Sequence, residues 1–166
     1  GGSTIVALAH DNIQHVHTVE NNPDWIEMLK KRGAIASAIS TKRLKMVYAD
    51  IGPVGDWGFP IDESGRLRWP DYSGLASESE HKFDLILVDG RFRVACALKA
   101  LHRVTPERIN KTLVLIHDYN RTWYHGVEDF AERIEEVETL AVFRKKPEVD
   151  PYELQSRILH FEFNRS

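Results

Sequence analysis

The sequence predicts an α/β fold with a mostly parallel sheet, and three observations carry that prediction. β-rich apolar runs alternate with helical patterns along the 166 residues, as expected of strands joined by crossover helices. Two runs, 83–89 and 112–118, are apolar almost throughout, the pattern of strands buried on both faces. Four runs end in an acid, at Glu20, Asp50, Asp89 and Asp118. In open α/β sheets ligands bind outside the carboxyl ends of the strands, so four acids at such ends point to one crevice. Taken singly, each acid has another use, as a cap for the helix that follows.

Taken in order, Ser3 or Thr4 caps a first helix through 5–9, and 15–20 is a strand. Asn22 and Pro23 open the next helix as cap and first-turn proline. Trp25, Met28 and Leu29 give that helix its apolar stripe, and Gly33 ends it after a basic last turn. Residues 44–50 form a second strand. Residues 51–82 are rich in Gly and Pro, interleaved with Trp57, Phe59, Trp69 and Tyr72. They read as an ordered flap with a small hairpin near Glu63–Arg66, because the aromatics argue against disorder. Val94, Leu98 and Leu101 mark a helix face, and Val127, Phe130, Ile134 and Val137 fall at helical spacing. Residues 139–143 are a strand. In 157–164, Leu159, Phe161 and Phe163 alternate with polar residues, which predicts a half-exposed antiparallel strand.

Composition narrows the function classes. Apolar residues make up 42% and charged residues 28%, enough for one packed core in a domain of this length. With 22 Lys and Arg against 25 Asp and Glu, the formal net charge is −3, which argues against a nonspecific nucleic-acid binder. No apolar run is long enough to cross a membrane. The single cysteine, Cys96, makes no internal disulfide and lacks the neighbours of a zinc site. A reducing, cytoplasmic setting is the expectation.

The succession of a Gly-rich turn into a helix, Glu20 and Asp50 at two strand ends, Asp89-Gly90 after a buried strand, and a terminal pair of strands resembles the class I S-adenosylmethionine-dependent methyltransferases. The resemblance covers nearly the whole chain and extends to small-molecule O-methyltransferases, with some similarity to the macrocin O-methyltransferase group. It implies one Rossmann-like domain over 1–166, with 51–82 as its flap. The sheet would have seven strands, mostly parallel with an antiparallel last strand, and helices on both faces. The family's first strand would precede Gly1.

The same resemblance implies roles for residues. Gly1 and Gly2 match the end of the glycine-rich loop beside the methionine part of S-adenosylmethionine, where a side chain would block the ligand. Glu20 matches the acid that accepts hydrogen bonds from both ribose hydroxyls, Asp50 contacts the adenine amino group, and Ile51 packs on the adenine face. Asp89 lies where methyl donor and acceptor meet. Asp89, Asp118 and Asn120 stand near the places of the hard ligands of Mg²⁺-dependent O-methyltransferases, with Tyr119 intervening before the Asn.

Without a metal, the acceptor proton needs a base, and His117 or Asp118 is nearest. Arg91, Arg93 and Arg121, with Tyr119 and Tyr124, are candidate contacts for an anionic small-molecule acceptor; ion pairing with local acids is the competing use of the arginines. The aromatics of the loops form a lid, a satellite core or a homodimer contact. Two other classes fit the same features. One is an NAD-type dinucleotide enzyme, since an acid some two dozen residues after a Gly-rich turn is also its pattern. The other is a non-catalytic binding or scaffold relative of the fold.

Overall fold

The computed structural model describes residues 1–75 and 81–165. The chain divides into two compact units, Gly1–Ala76 and Ser77–Ser166.

The first unit opens with helix α1, Gly2–Leu8. Strand β1, Val16–Glu20, runs parallel to β2, Leu44–Tyr48, with Val16 opposite Leu44 and Glu20 opposite Tyr48. Helices α2, Pro23–Lys30, and α3, Gly33–Ser40, make the crossover. Asn22 caps α2 as expected, its side-chain oxygen accepting from the Trp25 amide at 3.0 Å. Three expectations are corrected. The first helix starts before Ser3 and Thr4, and Thr4 instead lies 3.1 Å, hydroxyl to hydroxyl, from Thr18. The buried face of α2 is Ile26 and Leu29, with Trp25 and Met28 partly exposed. Gly33 opens a second helix rather than closing the region, because Ala34, Ala36 and Ala38 favour helix and Ile35 and Ala38 bury against Leu8 and Leu44. Arg43 then ties down the chain after α1, donating to the carbonyls of Leu8, His10 and Ile13.

Residues 49–75, after β2, form an ordered segment. There is no hairpin at Glu63–Arg66. A 3-10 turn, Arg66–Arg68, leads into helix α4, Trp69–Leu75, and the bridge that does form joins Val54 to Pro60. Trp69 is fully buried and donates from Nε1 to the Ile51 carbonyl at 3.2 Å. Gly65 packs backbone to backbone against Ile51: a Cβ there would lie 2.0 Å from the Ile51 oxygen. Only glycine fits such an approach. Residues 76–80 of the expected flap lie outside the described residues.

The second unit holds a four-stranded sheet ordered β3-β4-β6-β5, from β3, Leu85–Val88, β4, Leu113–Ile116, β5, Ala131–Val137, and β6, Leu140–Lys145. β3 and β4 are parallel, and β6 is antiparallel to both β4 and β5. Helix α5, Arg93–Arg103, follows β3, and α6, Pro151–Phe161, closes the chain. Val94, Leu98 and Leu101 of α5 enter one core with Ile116, Phe143 and Leu154.

Two sequence assignments exchange here. Residues 131–137 are a strand rather than the continuation of a helix: they pair with β6 across a tight turn at Glu138, whose φ is +55°. Residues 157–164 are mostly helix rather than strand. Asp150 caps α6, accepting from the Tyr152 amide at 2.9 Å, Pro151 occupies the first turn, and Leu154 and Ile158 bury at helical spacing. Removing this cap in Asp150→Ala is expected to cost about 1 kcal/mol, read as a lower urea midpoint with an unchanged m-value. The antiparallel pair is therefore β5 and β6. The expected seven-stranded sheet is, among the described residues, a pair of sheets with two and four strands. Nor is β3 buried on both faces: among the described residues it pairs with β4 alone, and Leu85 and Leu87 stay 56% and 39% exposed. Among the described residues no helix is long and apolar enough to cross a membrane.

Candidate active site

Parallel pairing of β3 with β4 sets Val88 opposite Ile116, and the His117 amide extends the ladder by donating to the Val88 carbonyl at 3.0 Å. The register thus delivers Asp89 and His117 side by side at the strand ends. Asp118 follows in the left-handed region, φ +57°, a conformation that Asp tolerates better than most residues. His117 Nδ1 lies 3.0 Å from an oxygen of Asp89 and 3.2 Å from one of Asp118. Neither approach has the alignment of a full hydrogen bond. A lone pair aimed at two carboxylates would be repelled, so the neutral ring carries its proton on Nδ1, leaving Nε2 as the acceptor. The imidazole is 46% exposed.

Arg93 holds this corner together. Its side chain is 4% exposed. Nε donates to the Gly90 carbonyl at 3.0 Å, and Nη1 to the His117 carbonyl at 2.5 Å and to Asp118 Oδ2 at 3.0 Å. Nη2 lies 3.7 Å from Asp89 Oδ1, and the guanidinium sits 5.3 Å from the centre of the Tyr124 ring, a cation–π arrangement. Phe92, buried and left-handed at φ +52°, turns the chain into α5 just before it. Arg121 adds a second cation 3.2 Å from Asp118 Oδ2. Burial pushes the Asp118 carboxyl upward, but the Arg93 hydrogen bond and charge, with Arg121 and His117, outweigh it and hold the group below the usual carboxylate range.

The other expected acceptor contacts sit differently. Arg91 and Arg93 are buried; Arg93 commits its guanidinium to protein groups and is not presented to solvent. Tyr124 is buried beneath Arg93. Tyr119 is buried too, its hydroxyl donating to Glu128 at 3.0 Å and its ring stacked with His125. Burial and the Glu128 carboxylate push that hydroxyl far above its ordinary range. These side chains are apolar or delocalised enough to pack, which composition alone does not distinguish from ligand contact. Arg121 stays partly exposed.

The donor set does not fit a hard cation. Asp118 Oδ2 already faces two guanidinium groups, Asp89 faces Arg93 and His117, and Asn120 is exposed beyond the buried Tyr119. Among the described residues, no group of three or more His, Cys, Asp or Glu is placed to hold a metal.

In the first unit, Glu20 ends β1 and Asp50 follows the neighbouring parallel strand β2. The Glu20 carbonyl accepts from the Ala49 amide at 2.8 Å, and its side chain is half-buried. Asp50 is engaged at both oxygens: Oδ1 accepts from the Gly52 amide at 3.0 Å, and Oδ2 pairs closely with Arg68. Ile51 is fully buried. Gly1 is the cap of α1 and packs tightly, since a Cβ would lie 2.7 Å from Leu29; Gly2 has open space around it. Sequence reasoning passed over Asn21. This buried side chain donates from Nδ2 to the Gly58 carbonyl at 2.9 Å. Gly58 has φ +74°, and a Cβ on it would lie 2.8 Å from Asn21 Oδ1, so both geometry and space require glycine. No local pattern announces a contact 37 residues apart.

Both parallel pairs carry titratable side chains at or past their carboxyl ends, the place where open α/β sheets bind ligands. No protein-family model matches the chain, and no curated protein does. A solved structure does match: the crystal structure of a methyltransferase-like protein from Silicibacter pomeroyi DSS-3, 30% identical, with a TM-score of 0.74, over 98% of this chain and 83% of that one. The chain belongs to the methyltransferase-like proteins.

Proposed function

We propose that the protein transfers a methyl group from S-adenosylmethionine to a hydroxyl of a small acceptor in the cytoplasm. The likeness to a methyltransferase-like protein over 98% of the chain carries the reading, and the Asp89–His117–Asp118 corner supplies a base suited to it. The cofactor would bring an electrophilic sulfonium methyl. Glu20, with two acceptor oxygens, suits the vicinal diol of a ribose. His117 Nε2 would take the acceptor's hydroxyl proton while the methyl passes to that oxygen and its bond to sulfur breaks, releasing S-adenosylhomocysteine, and Asp89 and Asp118 would stabilise the imidazolium that results. Arg93 keeps those carboxylates in place, and Arg121 offers a partly exposed cation to an anionic acceptor. A metal has no part in this reading, because Asp118 is taken by Arg93 and Arg121, and Asp89 faces Arg93 and His117.

Calorimetric titration with S-adenosylhomocysteine tests it. Saturable binding by the wild-type chain is expected, weakened about tenfold or more in Glu20→Ala by loss of hydrogen bonds to a charged acceptor. NADH is expected not to bind. Preference for NADH, or no binding of S-adenosylhomocysteine at millimolar concentration, overturns the reading.

A further inference from the structure

The loop after β2 turns its largest side chains outward. Trp57 is 88% exposed, Phe59 41%, Ile61 64% and Leu67 91%. All four lie within residues 57–67, and the backbone knits that stretch together. Val54 bridges Pro60, and the Ile61 amide donates to the Pro53 carbonyl at 3.1 Å. Gly65, just before the turn that carries Leu67, packs on Gly52: a Cβ on it would lie 2.7 Å from the Gly52 Cα. Trp57 is held outward against its preference. Its backbone is left-handed at φ +58°, a strain that a non-glycine residue bears only where its surroundings impose it. Here the Gly55 amide donates to the Phe59 carbonyl at 2.8 Å, and the Phe59 amide to the Asp56 carbonyl at 3.2 Å. Folding alone gains nothing from apolar side chains left in water.

The exposed area is what one side of a dimer needs. Aromatic side chains present about 150–250 Å² each and an aliphatic carbon about 30 Å², so the exposed fractions of the four come to roughly 500 Å². A standard interface buries about 800 Å² per partner, of which about 60% is apolar. The loop thus carries the apolar share of one such face. Its rim can also meet itself. Arg66 has its side chain 50% exposed and stands 3.2 Å from Glu63, with Asp56 and Asp62 exposed on the same loop. In a twofold pairing one patch faces its own copy, so a rim with both signs can set the cation of each copy against acids of the other. A lipid surface of negative charge would instead be repelled by the three acids.

We propose that the loop over residues 54–68 is the face through which two copies of this chain associate about a twofold axis, whatever reaction the chain performs. Sedimentation equilibrium of the full chain over a wide concentration range tests it, and the wild type is expected to show a monomer–dimer equilibrium. Each substitution enters a twofold interface twice. Trp57→Gly and Leu67→Ser are therefore each expected to weaken association about tenfold or more, and the double variant to sediment as a monomer. Both should stay folded, since glycine accepts the left-handed turn and Leu67 packs against little of its own chain. Tm checks this at a concentration where the wild type is itself dissociated, because association raises Tm by mass action. If Trp57→Gly lowers that Tm, Leu67→Ser decides alone. Tyr152→Ser removes an 85% exposed side chain from the second unit and is expected to leave the equilibrium unchanged. A wild-type chain that stays monomeric at every concentration overturns the proposal, whether the face then takes another protein, a lipid surface or a small ligand. So does a dimer that survives the double variant, or one that Tyr152→Ser weakens as much.

Discussion

Arg93→Met is expected to destabilise the second unit by about 3 kcal/mol, a drop large enough to read directly from urea midpoints. The substitution keeps much of the side chain's bulk but leaves the carbonyls of Gly90 and His117 without a donor and Asp118 without its nearest cation. The estimate sits at the low end of the range for breaking a buried pair because Asp118 is 24% exposed and keeps Arg121. The deficit should depend on pH with a definite sign. In the wild-type chain Asp118 has a carboxyl pKa held below its ordinary value. Its contribution is therefore present above the unfolded carboxylate pKa, near 4, and is lost as pH falls through the lower folded value. Without Arg93, the upward push of burial is opposed by Arg121 and His117 only. The gap between variant and wild type should be widest at neutral pH and shrink as the pH falls below about 4. Asp118→Asn, which tolerates the left-handed turn, should remove much of the penalty when combined with Arg93→Met. Strict additivity in that double-mutant cycle would show that the pair does not act together.

His117→Gln should slow methyl transfer by roughly 100- to 10,000-fold, the usual contribution of a positioned general base. S-adenosylhomocysteine affinity should stay within about twofold, since the role assigned to His117 is acceptor deprotonation, not cofactor binding. Single-turnover rates with a competent hydroxyl acceptor, set beside the calorimetric affinity of the same variant, separate the two effects. Loss of affinity with an unaltered rate at saturation would reassign His117 from chemistry to binding.

Much of the parallel framework was legible because its signals are local. The Asn22-Pro23 helix start, the apolar 112–118 run and the Val94–Leu98–Leu101 stripe each declare themselves within a few residues. The errors arose where two periods competed. Leu159, Phe161 and Phe163 alternate as a strand would, but Leu154, Ile158 and Phe161 also lie on one helix face, and the Asp150-Pro151 start decides between them. Val127 to Val137 has helical spacing, yet pairing with β6 wins across 131–137. The acids at strand ends could be named from sequence, but their partners could not. Arg93 reads equally well as a ligand contact or a clamp until the register of β3 and β4 places three carbonyls and two carboxylates around it. Asn21 against Gly58 had no signal at all, being a contact between distant segments.

The same clamp ties competence to assembly. The groups of this corner come from the end of β3, the first turn of α5, the left-handed residue after β4 and the 3-10 turn that carries Tyr124 beneath Arg93. None of these segments holds the imidazole alone. A local opening at the end of β3 or after β4 takes two of the guanidinium's partners away at once, so those two segments are expected to open together. A partly unfolded chain still carries a basic imidazole, but the population that holds it between Asp89 and Asp118 is the one in which the ends of both strands have closed together.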